Sequence, residues 1–130
     1  MVTVGLVLTG LAAAVHVYIF YLESIVWTGA KARAVFGIRT LEEAQGMKLL
    51  AFNQGFYNLF LAIEIVLGLV LFAAGHLAVG ATLIYVGAGS MIAASLVLLL
   101  SSPDKAAAAL KQGLFPLLGV LALSVGQAGL

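Results

Sequence analysis

Four long apolar stretches constrain the fold of this 130-residue chain more than any other feature of its sequence. They cover about residues 2–27, 49–74, 77–100 and 110–129. A helix needs about 20 mostly apolar residues to cross the roughly 30 Å hydrocarbon core of a bilayer. None of the stretches shows the period-two alternation that is typical of barrel strands. We therefore predict a single all-α domain, a polytopic membrane protein whose four transmembrane helices form an antiparallel bundle.

The composition excludes the main classes of soluble protein. Hydrophobic residues make up 64% of the chain and charged residues 8%, whereas a soluble domain carries about 25% charged residues. The chain has no cysteine, so it forms neither disulfides nor thiolate metal sites. We expect no nucleic-acid partner, because the net charge is +1 and no stretch could neutralise a row of phosphates.

The basic residues predict the orientation. All of them lie in or beside two connections, residues 28–48 and 101–109, and the short turn at Gly75 and His76 has none. The six are Lys31, Arg33, Arg39, Lys48, Lys105 and Lys111. Because positive residues stay on the cytoplasmic side, both termini are expected to be extracytoplasmic. The predicted location is the cell membrane, which is the inner membrane if the source is bacterial.

Short signals predict structure at the ends of the spans. Thr40 and Glu43 have the spacing of a capping box, so the second helix is expected to begin near residue 41 on the membrane surface. Residues 30–36 are typical of a short interfacial helix. Ser102 and the proline after it resemble the first positions of the fourth helix. In the third span, small residues such as Gly89 indicate where helices touch.

Polar side chains inside the apolar stretches are concentrated in the first two spans. A charged group near the bilayer centre costs at least about 2.5 kcal/mol, so it is normally paired, protonated or functional. Spacings of three, four and seven residues place several of these side chains on one stripe of each helix. The eight residues that we take as a candidate ligand or proton pocket are His16, Glu23, Trp27, Asn53, Gln54, Tyr57, Asn58 and Glu64.

The antiparallel register predicts two polar layers. Residues of the first and second spans at equal depth have numbers that add up to about 76. His16 then lies within reach of Glu64 in a deep layer, where the two could share a proton. Glu23 lies in a shallower layer with the polar side chains of the segment Asn53–Asn58, and Trp27 closes the cytoplasmic end.

A structural explanation stands beside each functional one. Glu23 can simply reach the interface, and His16 can be a hydrogen-bonded structural histidine. The polar side chains of Asn53–Asn58 can hold neighbouring helices together through hydrogen bonds. Glu64 is the hardest to explain in this way, because it lies near the centre of its span and far from any lysine or arginine. We expect no metal site, since the candidate ligands are too few and too spread in depth.

The first two spans also resemble a known family. The residues that carry the resemblance are His16-Val17-Tyr18-Ile19, Leu22-Glu23, Trp27, Phe36-Gly37 and Asn53-Gln54-Gly55-Phe56-Tyr57-Asn58-Leu59-Phe60-Leu61-Ala62. This pattern is similar to the domain-of-unknown-function 1304 family of small bacterial and fungal membrane proteins. The last two spans match it only in hydropathy and length. The resemblance implies a four-helix membrane protein and no established activity, and Glu64 stands where the family pattern has a small or apolar residue.

Three functions are compatible with these residues. The first is a small proton-coupled transporter or exporter of a lipophilic or cationic ligand, which uses Glu23 or Glu64 and works as a homodimer. The second is a lipid-phase small-molecule binding protein, or a membrane enzyme, with a pocket between Glu23, Asn53 and Tyr57. The third is a structural or assembly protein whose polar layer sets the helix register. No nucleophile motif or nucleotide loop favours an enzyme, membrane lipid is an expected partner, and we expect no cofactor.

Overall fold

The computed structural model describes residues 1–129, and within that range every regular element is helical. Six α-helices follow one another: α1 (Val2–Phe20), α2 (Ala30–Phe36), α3 (Leu41–Gly46), α4 (Lys48–Ala73), α5 (Leu77–Ser101) and α6 (Ala106–Gln127). A π-helical segment, Tyr21–Ile25, continues α1, and a 3₁₀ turn, Pro103–Lys105, precedes α6. With these extensions, four helices are long and apolar enough to cross a membrane. The predicted all-α fold with four spans is confirmed.

The four spans pack as a square in which each helix has two neighbours. Helix α1 contacts α4 and α6, and α5 contacts the same two helices. Because neighbours in space are also consecutive spans or the first and last ones, adjacent helices run antiparallel. Small or slender side chains fill the centre, namely Ala12, Ala13, Ala62, Ile65, Ala88 and Met91.

Close contact between backbones brings α4 and α5 together. A Cβ atom at Gly80 would lie 2.7 Å from the carbonyl oxygen of Gly68 and 2.7 Å from the Cα of Phe72. Small residues allow such an approach, which is how helices associate in lipid. The sequence indicated Gly89 as a further contact, but a Cβ there would have no neighbour within 4 Å. The contact side of α5 is therefore set by Gly80, and Gly89 faces away from the other three spans.

The connection between α2 and α4 follows the sequence signals only in part. Thr40 caps α3 as predicted, since its hydroxyl accepts a hydrogen bond from the Glu43 backbone N–H at 3.1 Å. However, α3 ends at Gly46, and α4 is a separate helix. Met47, between them, packs against the cluster around Trp27. Glycine weakens a helix by about 1 kcal/mol relative to alanine, which favours a break at Gly46. The helix that the sequence predicted as one from about residue 41 is therefore divided into α3 and α4.

Two other helix ends were predicted with mixed success. The short helix expected over residues 30–36 is present as α2. The fourth span begins with the 3₁₀ turn, and the side chain of Ser102 makes no capping hydrogen bond there. Ser102 nevertheless occupies the N-cap position and Pro103 follows it at the start of the span, as the sequence predicted. Pro116 lies inside α6 and is buried.

The last turn of the first span is wound as a π-helix. The backbone N–H of Val26 donates to the carbonyl of Tyr21, five residues earlier, at 3.1 Å. A π-turn holds one more residue than an α-turn, and such turns occur frequently at functional sites. The consecutive residues Leu22 and Glu23 are both buried here, at 1% and 7% exposure. Glu23 therefore lies inside the bundle instead of reaching out to the interface.

We expect Gly80→Ala to destabilise the protein and Gly89→Ala to leave its stability nearly unchanged. The added methyl group at position 80 meets backbone atoms of α4 that cannot move aside, which typically costs about 1–3 kcal/mol. At position 89 it meets open space. Thermal unfolding in detergent would measure both variants, which carry the same substitution in the same helix. Equal stability of the two variants would contradict the packing described for α5.

Candidate functional site

One hydrogen bond joins a buried carboxylate of the first span to an amide of the second. The side-chain NH₂ of Asn58 donates to Glu23 Oε1 at 2.7 Å and to the backbone carbonyl of Gln54 at 3.1 Å. Asn58 is 8% exposed and Glu23 is 7% exposed. In hydrocarbon a carboxyl group needs such a partner. The pair therefore locks α4 to the π-helical end of α1.

Tight packing surrounds this pair. A Cβ atom at Gly55 would collide with the hydroxyl of Ser24 and lie 3.1 Å from the Cβ of Glu23. The Ser24 hydroxyl donates to the backbone carbonyl of Phe52 at 2.8 Å. These contacts leave no room for a ligand between Glu23 and the face of α4 at Gly55. The arrangement is that of a structural contact between α4 and the end of the first span, and we call it the Glu23–Asn58 joint.

Trp27 links the first span to the segment that follows it. Its indole N–H donates to the backbone carbonyl of Ala44 in α3 at 2.8 Å, and the side chain is 6% exposed. The indole also packs against Phe36 of α2, with ring centroids 5.3 Å apart. Trp27 thus lies at the end of the span, where it was expected, and it holds both short helices against the bundle.

The side chain of His16 forms a hydrogen bond within its own helix. It is 2% exposed, and its Nδ1 lies 2.8 Å from the carbonyl oxygen of Ala12. Because a carbonyl only accepts hydrogen bonds, Nδ1 carries the proton. This geometry is that of a structural histidine, which was the alternative left open by the sequence.

Glu64 does not join His16 in the way that the sequence predicted. Its side chain is half-buried on α4. The next residue, Ile65, faces α5, because a Cβ at Gly87 would lie 2.8 Å from it. His16 bonds to its own backbone, and within residues 1–129 no side-chain hydrogen bond reaches the Glu64 carboxylate. The two members of the predicted deep layer thus make no hydrogen bond to each other.

The shallow layer is smaller than predicted. Tyr57 is 64% exposed, and Gln54 is also exposed. Asn53 is exposed and donates to the carbonyl of Leu49 at 3.0 Å within its own helix. On an α-helix, residues 53 and 57 share a face, and residue 58 is turned about 100° away from residue 57. Only Asn58 of this segment therefore donates to Glu23, and the other three polar side chains lie on the outside of α4.

A cavity lies on the other side of the first span, between α1, α2 and α6. It has a volume of about 450 Å³ and is partly open. Its walls are mostly apolar, and we call it the α1–α6 cavity. The residues that line it are Val15, Tyr18, Ile19, Leu22, Lys31, Val35, Phe36, Ala108, Lys111, Gln112, Leu114 and Phe115.

Two lysines border the α1–α6 cavity, and the sequence analysis did not select them. Lys31 lies in the first turn of α2 and Lys111 in the second turn of α6. The antiparallel square brings the α1–α4 and α5–α6 connections to the same end of the bundle. The shared positive charge of these two connections was the available signal, but it was used only to predict orientation. No periodicity indicates that α1 and α6 are neighbours.

The residues described do not form a metal centre. Within residues 1–129, no three His, Asp or Glu side chains come together as a possible ligand set. The chemistry available to the protein is therefore that of the buried Glu23–Asn58 joint, the half-buried Glu64 and the α1–α6 cavity with its two ammonium groups.

Comparisons with known proteins identify one family. A family model described as "Protein of unknown function (DUF1304)" matches residues 10–124. Searches of the curated proteins and of the solved structures found no match. The matched range includes the eight polar residues selected from the sequence and both lysines of the α1–α6 cavity.

We expect Asn58→Leu to lower the free energy of unfolding by about 1–2 kcal/mol, the upper range for a hydrogen bond between membrane helices. The substitution keeps the volume but removes the donor to Glu23. Asn53→Leu is the matched control, since Asn53 is exposed and bonds only within α4; its effect should stay within about 0.5 kcal/mol. Denaturant unfolding in detergent would measure both. Similar losses for the two variants would show that the Glu23–Asn58 bond does not stabilise the bundle.

Proposed function

Since the chain belongs to the DUF1304 family, a family of unknown function, we propose its function from the geometry alone: the protein binds a small lipophilic molecule that is dissolved in the membrane. The observation that carries this proposal is the α1–α6 cavity of about 450 Å³. Small-molecule sites are typically concave and mostly apolar, with volumes of about 300–1,000 Å³ and a few polar groups. The α1–α6 cavity has each of these properties.

The position of the cavity supports entry from the lipid. Its walls come from two membrane spans and from the short helix α2, and the cavity is only partly enclosed. A lipophilic molecule can therefore enter between the helices without crossing an aqueous phase. By the distribution of lysine and arginine, we place this site at the cytoplasmic side of the cell membrane.

The contacts of the Glu23 carboxylate support a structural role for this residue and not a role in ligand binding. Glu23 is hydrogen-bonded to Asn58 and packed against Gly55. These contacts favour a part in holding α1 to α4, which would keep one wall of the cavity in place. In this proposal the joint positions the site, and the ligand itself binds on the other side of α1, where Leu22 lines the cavity.

A second candidate is proton-coupled transport of a lipophilic or cationic molecule. The observation in its favour is Glu64, a half-buried acid near the middle of α4 with no hydrogen-bond partner among the described side chains. An acid at that depth is normally paired, protonated or functional. Because four helices packed as a square enclose little space, such a transporter would work as a homodimer.

Filling the α1–α6 cavity should weaken binding. We expect Ala108→Phe to weaken binding of a bromine-labelled alkyl amphiphile at least about tenfold, because an inserted ring in filled space costs about 1–3 kcal/mol. Quenching of the single tryptophan would report binding, since Trp27 packs against Phe36, which lines the cavity.

Ala107→Phe is the control for this experiment, because Ala107 is exposed and lies outside the cavity lining. It should bind the amphiphile like the unchanged protein in nanodiscs of phosphatidylcholine. Quenching that never saturates in the unchanged protein, or that saturates equally in both variants, would refute binding in the cavity.

The transport candidate has its own test. In proteoliposomes with a pH gradient, Glu64→Gln should abolish uptake of a lipophilic cation, because the amide cannot release a proton. Binding in the α1–α6 cavity should remain unchanged in the same variant. Glu42→Gln, at an exposed position of α3, is the control. Uptake that persists in Glu64→Gln and also in Glu23→Gln would exclude proton coupling through either acid.

A further inference from the structure

We infer that the α1–α6 cavity selects amphiphiles with an anionic head group, which Lys31 and Lys111 bind from two different helices. This inference rests on the proposed binding function and adds the class of ligand. It narrows the sequence-based expectation of a lipophilic or cationic ligand to a lipophilic ligand whose head group is anionic.

The charged side chains that line the cavity are both positive. Its polar lining residues are Tyr18, Lys31, Lys111 and Gln112. The chain has five Asp and Glu residues, and none of them lines the cavity. Two ammonium groups beside an apolar space without a carboxylate favour an anion. Both lysines are exposed, so the ammonium groups lie at the rim of the cavity and the apolar side chains form its walls.

The polar and apolar parts of the cavity are ordered by depth. Along α6, Lys111 comes before Leu114 and Phe115, so the lysine lies nearer the connection and the apolar side chains lie nearer the membrane centre. Along the first span, Leu22 lies near the same end and Val15 lies deeper. Their separation of seven positions corresponds to roughly 10 Å of helix.

This order matches an amphiphile that lies in one leaflet of the membrane. Its head would lie between the two lysines, and its alkyl chain would follow the groove between α1 and α6. Basic pockets between membrane helices on the cytoplasmic side bind anionic lipid head groups in this way. Lysine acts as a compact point charge, so the two lysines select the sign of the head group. The position of the cavity between two membrane spans favours the membrane as the source of the ligand.

Three single-chain amphiphiles with the same brominated alkyl tail would test the inference. Their heads would be a phosphate, a hydroxyl and a trimethylammonium group, each measured in phosphatidylcholine nanodiscs by quenching of Trp27. We expect the phosphate to bind most tightly. Lys31→Gln and Lys111→Gln should each weaken phosphate binding about fivefold, and the double variant roughly 25-fold. Binding of the hydroxyl compound should not change.

Two lysines outside the cavity provide matched controls. Lys48→Gln at the start of α4 and Lys105→Gln before α6 remove the same charge near the same end of the bundle. Neither residue lines the cavity, so phosphate binding should stay within about twofold of the unchanged protein. In Lys111→Glu, the preference should shift towards the trimethylammonium compound.

The outcomes separate this inference from the proposed function. Saturable binding that is the same for all three heads, or that falls equally in the control variants, would overturn the anionic specificity and leave lipophile binding intact. If no amphiphile gave saturable quenching, the proposed function itself would fail. Displacement of the amphiphile by millimolar inorganic phosphate would overturn the membrane as the source, because the ligand would then be a free anion.

Discussion

The structure depends on the close approach of helices that the hydrophobic effect does not drive together in lipid. Hydrocarbon is as apolar as leucine, so packing and hydrogen bonds between helices supply the stability. Gly80 lets α5 reach the backbone of α4, and Gly55 lets α4 reach the π-helical end of the first span. These contacts, with the Glu23–Asn58 hydrogen bond, determine the register of α1, α4 and α5 and so shape the square.

The α1–α6 cavity is a consequence of the same arrangement. The first and last spans meet because the square closes, and α2 covers their shared edge near the connections. Trp27 holds α2 and α3 in place by its bond to Ala44 and its contact with Phe36. A buried polar joint, a tryptophan anchor and an open apolar cavity thus lie next to one another at one end of the bundle.

Several local features were accessible to sequence reasoning because they depend on neighbouring residues. The Thr40 cap and the short helix α2 are examples. The antiparallel register also placed Glu23 near the right part of α4. It failed to select the partner, because the π-helical turn and the glycine at position 55 decide which face of α4 meets Glu23. For the same reason, Tyr57 lies on the outside of α4.

The sequence by itself determined that this chain spans a membrane four times as an all-α bundle, since only long apolar helices satisfy their own backbone in hydrocarbon. It also determined that the polar chemistry lies mainly in the first two spans. Only the tertiary structure decided which side chains meet. Lys31 of α2 and Lys111 of α6 line the same cavity only because the square closes. Their positions in the sequence, 80 residues apart, carry no signal of this.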